Sequence, residues 1–162
     1  MTPRLDPVPA PGWVVEPPAP ADGDRWRELF RGYVDFYGTA LTEPDLERVW
    51  GWLHDPDHVL RGLLAKDPSG AAMGIAHFRP YPRPLLASVG CFLDDLFVDP
   101  AARGTGAAEA LLAAVRRTAA AQGWGAVRWI TSESNARARA VYDRTATQTS
   151  LVTYEMTVPT DA

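Results

Sequence analysis

An almost unbroken apolar run over residues 88–98 leads, a few residues later, into Arg103-Gly104-Thr105-Gly106 and then into a long helical pattern. No other stretch restricts the fold as much. A nearly continuous apolar run of that length reads as a buried strand. Over residues 106–122, Ala108, Leu111, Leu112, Val115 and Ala119 recur on one stripe while Arg116 and Arg117 face away, and Gly123 ends the helix. A strand that turns through glycines into an amphipathic helix is a building block of α/β folds.

The other elements follow from the same kind of reading. Pro3, Pro7, Pro9, Pro11, Pro17, Pro18 and Pro20 make the start extended or irregular, with only Trp13-Val14-Val15-Glu16 patterned as a strand. Residues 24–37 place Trp26, Leu29, Phe30, Tyr33, Val34 and Tyr37 on one helical stripe that Gly38 closes. Thr42 is the expected N-cap of a second helix carrying Leu46, Val49, Trp50 and Leu53, stopped by Asp55-Pro56. Residues 59–65 and 72–78 read as a hairpin, 127–131 as a strand, 135–144 as a helix and 151–156 as a last strand. The order gives an α/β arrangement around a mixed sheet. A length of 162 residues with 46% apolar content suits a single domain.

Composition removes several functional classes. No run of about 18 apolar residues is present and the first residues lack the apolar stretch of a secretory signal, so a cytoplasmic protein without membrane partners is expected. Cys91 is the only cysteine, which excludes an intrachain disulfide and argues against a cysteine-rich zinc site; no metal is expected. A formal net charge of −4 disfavours nucleic acid as a partner and suits a cationic small molecule.

Two features carry chemistry. Asp94 and Asp95 interrupt a buried strand, which is costly unless they have a task, and alternation predicts that one of them faces a cleft. Small residues at 104 and 106 let the backbone approach a ligand, and the free N–H groups of the helix start favour an anion. Taken alone, the glycines also fit a plain strand-to-helix turn. A Walker loop would need Gly-Lys-Ser/Thr and a dinucleotide fingerprint a third glycine, and both are absent. Farther on, Asn135 and Tyr142 lie two helical turns apart, about 10 Å along one face.

Arg103-Gly104-Thr105-Gly106-Ala107-Ala108 resembles motif A of the GNAT superfamily of N-acetyltransferases, Arg/Gln-x-x-Gly-x-Gly/Ala, as does its lead-in Leu93-Asp94-Asp95-Leu96-Phe97-Val98-Asp99-Pro100. Asn135-Ala136-Arg137-Ala138-Arg139-Ala140-Val141-Tyr142 resembles motif B of the same family. Ala107 and Ala146 depart from residues common there, a larger aliphatic and a glycine. The resemblance spans residues 12–158 and implies a GNAT fold: one domain with a mixed, mostly antiparallel sheet flanked by helices, between a lead-in at 1–11 and a tail at 159–162.

It also implies acetyl-CoA as co-substrate. The backbone of Leu96, Phe97 and Val98 would pair with the pantetheine, Arg103, Gly104, Thr105, Gly106, Ala107 and Ala108 would cradle the pyrophosphate, and Asn135 would bond the arm. Tyr142 would be the general acid at sulfur and Asp94 the acidic residue that relieves the attacking amine of its proton. Tyr33, Tyr37 and Asp95 are candidates for binding the acceptor, with Phe36, Trp50, His77 and Tyr81 nearby. Similarity to small bacterial diamine- and histone-type acetyltransferases points to a primary amine, a small cationic amine or polyamine first and a protein or peptide amine second. A non-catalytic acyl-CoA-binding module is the alternative, and a homodimer is left open.

Overall fold

Chain order and spatial order coincide in the sheet of this protein. A computed structural model describes residues 12–159; the expected irregular lead-in over 1–11 and residues 160–162 of the tail lie outside the described residues. Five strands, β1 (Val14–Glu16), β2 (Arg61–Lys66), β3 (Ala72–Arg83), β4 (Ser88–Val98) and β5 (Val127–Arg128), lie side by side in that order. The first four are antiparallel to their neighbours, and β5 runs parallel to β4. Short turns join β2 to β3 and β3 to β4, whereas residues 17–60 with two helices separate β1 from β2 and a helical crossover joins the parallel pair.

Helices cover both faces, as the resemblance implies. On one face α1 (Gly23–Phe36) and α2 (Glu43–His54) bury Trp26, Leu29, Phe30, Val34 and Leu46 against Leu64 and Ile75. On the other, α3 (Ala107–Ala121) sets Leu111, Leu112 and Val115 against Ala76, Phe78, Cys91 and Leu93. The last helix, α4 (Ala136–Thr145), adds Val141 and Tyr142 to the edge of that second cluster. Thr42 caps α2 as expected, accepting from Asp45 N while the Asp45 carboxylate returns a bond to Thr42 N. Ala146, where the family often has glycine, has φ −145°, an extended conformation that makes no demand for glycine.

Three strand expectations need correction. β3 continues past Phe78 to Arg83 although Pro80 and Pro82 interrupt it, because β2 ends opposite Phe78 and leaves that side of β3 free. Prolines two apart direct their missing N–H groups to that free side, where no ladder bond is lost. The strand expected at 127–131 is only Val127–Arg128, since beyond Phe92 the two parallel strands part and a cleft opens between them. The strand expected at 151–156 is absent: those residues are exposed and in neither helix nor strand.

Candidate active site

The gap between β4 and β5 is a cleft of about 300 Å³, floored by Leu96, Phe97 and Val98 and walled by the start of α3 and one face of α4. Its α3 end is built from backbone. Gly104 and Gly106 have φ of +78° and +90°, conformations that side chains bearing a Cβ resist. A Cβ on Gly104 would meet no protein atom within 4 Å, so that face of the turn is open to a ligand. The first helical bond of α3 runs from Ala110 N to Gly106 O, which leaves the amides before it without intrahelical acceptors and pointing along the helix dipole. Arg103, Arg137 and Arg144 line the same cleft, Arg144 paired at 2.8 Å with Glu109, which also lines it. Such a lining fits a pyrophosphate-bearing thioester.

The turn is held from outside the motif. Arg25 of α1 donates to Ala72 O at 2.8 Å and to Asp99 Oδ2 at 2.7 Å. The other oxygen of Asp99 accepts from Ala101 N at 2.9 Å, shaping the chain after β4. The hydrogen bond from Arg25 holds the Asp99 carboxyl below the usual carboxylate range. Trp13 ties Thr105 O to the first strand through its indole N–H at 3.0 Å.

At the α4 end, Asn135 and Tyr142 both line the cleft, as their spacing predicts. Asn135 is the N-cap rather than the first helical residue: its Oδ1 accepts from Ala138 N, and its amide group lies 3.5 Å from Thr131 Oγ1. The ring of Tyr142 packs edge-on against Trp129 at 5.2 Å, and burial, then the neighbouring Tyr37, push its hydroxyl up to about 12. A phenol with that affinity for its proton is a donor at neutral pH.

Alternation fails at the two carboxylates. His77 pairs with Asp95 and Phe78 with Leu93, so Asp94 is the extra residue of a β-bulge. As a result Asp94 and Asp95 both line one depression under α1 and α2, of about 550 Å³, together with Phe30, Asp45, Arg48, Trp52 and Arg79. Asp94 is paired with Arg79 at 3.1 Å through one oxygen, while the other is buried without a hydrogen-bond partner. Burial raises the Asp94 carboxyl above its ordinary value despite Arg79. Asp95 accepts from Nδ1 of His77 at 2.8 Å. His77 is 1% exposed, and its Nε2 accepts the Trp26 indole N–H at 2.9 Å, which leaves the ring proton on Nδ1 for Asp95.

Tyr33 and Tyr37 line the thioester cleft beside Tyr142, whereas the depression that holds Asp95 is a different one. Tyr33 sits at the seam: its hydroxyl is 3.4 Å from Asp94 O, and burial, then the nearby Asp95 carboxylate, keep its proton in place. The clefts therefore abut at the bulge, with a proton donor on one side and carboxylates on the other. Among the other aromatic candidates, Trp50 packs on Trp26 in the core and Phe36 lines the thioester cleft. Among the described residues no cluster of His, Cys, Asp or Glu converges to hold a metal, and no helix is long and apolar enough to cross a membrane.

Sequence reasoning missed Arg25, Arg137 and Arg144. The last two are seven apart on the helix of Asn135 and Tyr142, a spacing that could have revealed them. Arg25 has no such signal, since its partner lies in a distant strand end.

Comparison with known proteins agrees with this fold. The model of the acetyltransferase (GNAT) family matches residues 26–146. A D-amino-acid N-acetyltransferase, HPA3, of Saccharomyces cerevisiae is 30% identical over 143 residues, covering 88% of this chain and 89% of that protein. Among solved structures, AAC(6')-Iy in complex with a bisubstrate analogue, CoA-S-monomethyl-acetylneamine, superposes with a TM-score of 0.75 at 22% identity, over 91% of this chain and 99% of that one. Ribosomal-protein-alanine N-acetyltransferase of Brucella melitensis biovar Abortus 2308 superposes with a TM-score of 0.74 at 19% identity, over 90% and 99%.

Proposed function

The chain belongs to the acetyltransferase (GNAT) family as an acetyl-CoA-dependent acetyltransferase acting on an amine, and from that premise we propose that it acetylates a small primary amine by direct attack in a ternary complex. The observation that carries this reading is the meeting of two clefts at the β4 bulge, one lined by Tyr142 and the other by Asp94 and Asp95. Bound acetyl-CoA supplies an activated acetyl thioester. The α3 amides with Arg103, Arg137 and Arg144 would hold its phosphates, Asn135 and the β4 backbone at Leu96, Phe97 and Val98 would hold the arm, and Tyr142 would serve as proton donor to the thiolate.

Protonated amines do not attack carbonyls, so the acceptor must lose a proton first. Asp94, which lines the second depression, takes it, and its raised carboxyl range makes it a better base at neutral pH than an ordinary aspartate. The amine nitrogen then bonds to the acetyl carbon, the carbon–sulfur bond breaks, Tyr142 gives its proton to the leaving thiolate, and the second proton shed by the nitrogen passes through solvent to restore the Tyr142 hydroxyl. Cys91 is not a candidate for an acetyl-enzyme: it is fully buried among the α3-facing residues, and burial, then Asp94, push its thiol up to about 11.

The acceptor depression carries three carboxylates, Asp45, Asp94 and Asp95, against the guanidiniums of Arg48 and Arg79. That excess of negative charge favours a small cationic amine or polyamine. A second reading, an amino acid, is favoured by the two guanidiniums as partners for an α-carboxylate and by the activity for which HPA3 is named. Thiol release from acetyl-CoA against polyamines, D- and L-amino acids, aminoglycosides and peptides tests both. Turnover confined to diamines supports the first, turnover confined to amino acids the second. Silence across the panel, with acetyl-CoA still bound, would favour a non-catalytic acyl-CoA-binding module.

A further inference from the structure

The depression that holds Asp94 and Asp95 is lined by more apolar surface than an ammonium group alone can use. Leu41, Val49, Trp52, Val59 and Leu60 share it with the charged residues, and at about 550 Å³ it has room for a ligand body well beyond an amino group. Trp52 and Val59 are left 38% and 52% exposed, a placement that costs nothing once a ligand covers them. Trp52 is also fixed in place. Its ring stacks on His58 at 5.0 Å, 5° from parallel, and Nδ1 of His58 accepts from Leu60 N at 3.1 Å. That bond puts the imidazole proton on Nε2 and leaves the ring neutral, so the stack is an uncharged aromatic wall.

Most of the charge in the same depression is already matched. Asp45 is committed to the start of α2: its Oδ2 accepts from Thr42 N at 2.9 Å and from Thr42 Oγ1 at 2.7 Å, and its Oδ1 from Arg48 at 3.1 Å. Asp94 is paired with Arg79. Asp95 has neutral partners, the Tyr33 hydroxyl and Nδ1–H of His77, and among the described residues no arginine or lysine pairs with it. One carboxylate therefore lacks a counter-ion, which suits one ammonium and not two. A second cation set against Leu41, Val49 and Val59 would lose its hydration with no carboxylate in return. An α-carboxylate would bring like charge toward Asp95 where both guanidiniums are already paired.

We propose that the acceptor is a primary monoamine with an apolar body, an alkyl chain or an aromatic ring, whose single ammonium group is held by Asp95 while the body lies along Leu41, Trp52 and Val59. This rests on the reading of the depression as the acceptor site and selects within it. Amines with a second charge, diamines and amino acids alike, are the poorer substrates.

Thiol release from acetyl-CoA by the full chain tests this, with n-alkylamines from ethylamine to hexylamine, the six-carbon diamine, phenethylamine and phenylalanine as acceptors. The value of kcat/KM should rise about fourfold per added methylene, the factor expected for burying one CH₂ group. It should be at least about tenfold lower for the diamine than for hexylamine, and for phenylalanine than for phenethylamine. Trp52→Ala should shrink the gain from ethylamine to hexylamine at least about tenfold. The wild-type series decides the question by itself if that variant does not fold. A flat or falling chain-length series, a diamine or amino acid preferred over its matching monoamine, or an undiminished gain in folded Trp52→Ala would each overturn the proposal. Turnover of no amine at all, with acetyl-CoA still bound, would remove the acceptor-site reading and the proposal with it.

Discussion

Burial of the Tyr142 ring against Trp129, with Tyr37 nearby, pushes its hydroxyl up to about 12, which keeps it a proton donor at neutral pH, the role proposed for it. Tyr142→Phe should lower kcat by about 10² or more while leaving CoA affinity, measured by calorimetry, within about threefold. Asp94 is shifted upward by burial, so its proton comes off at higher pH than from an ordinary aspartate. The acidic limb of the kcat/KM profile should accordingly lie above the ordinary carboxylate range and vanish from the residual activity of Asp94→Asn. In stability terms the sign is opposite to that of a salt-bridged aspartate. A raised carboxyl favours the fold while protonated, and that contribution is lost as pH climbs through its folded value. His77 is a buried support: its replacement by leucine strands the Trp26 N–H in the core, at about 1–3 kcal/mol in urea denaturation.

The elements differ in how openly the sequence announces them. Helices α1 to α4 were legible within a residue or two, because stripe, cap and stop signals such as Thr42 with Asp45 and Gly123 are local. The bulge at Asp94 was not. It depends on how β3 and β4 register across the sheet, and it is what brings two adjacent carboxylates to one side. The length of β3 was hidden by Pro80 and Pro82, whose tolerance depends on where β2 ends. The Gly-rich turn was readable as an anion site, while its brace from Arg25 to Asp99 spans the fold. Gly104→Val should raise the Kd for CoA at least about tenfold with little effect on the rest of the fold, since its side chain would enter the ligand's space and resist a positive φ. Gly32 makes a different demand. A Cβ there would come within 2.7 Å of the Phe97 ring, so Gly32→Ala should cost about 1–3 kcal/mol by forcing α1 off β4.

For the molecule as a whole, the sheet is a frame that ends where chemistry begins. β4 and β5 pair for two residues and then part; the cleft lined by Tyr142 lies along β4 at Leu96, Phe97 and Val98, and the depression lined by Asp94 and Asp95 lies beside the preceding residues of the same strand. Binding of acetyl-CoA should join α3 to α4 and raise Tm in proportion to its concentration. At low pH the brace at Asp99 fails: its carboxyl is held low by Arg25, so its contribution is present above the ordinary aspartate value and is lost as pH falls through the folded one. Asp99→Asn should flatten that part of the acid-denaturation curve. Direct transfer between two abutting clefts requires both substrates on the enzyme at once, with no acetyl group on Cys91. Initial-rate kinetics with acetyl-CoA and the best acceptor amine varied together should therefore give intersecting double-reciprocal lines. Parallel lines, with an acetylated enzyme seen by intact mass on rapid quenching, would contradict it.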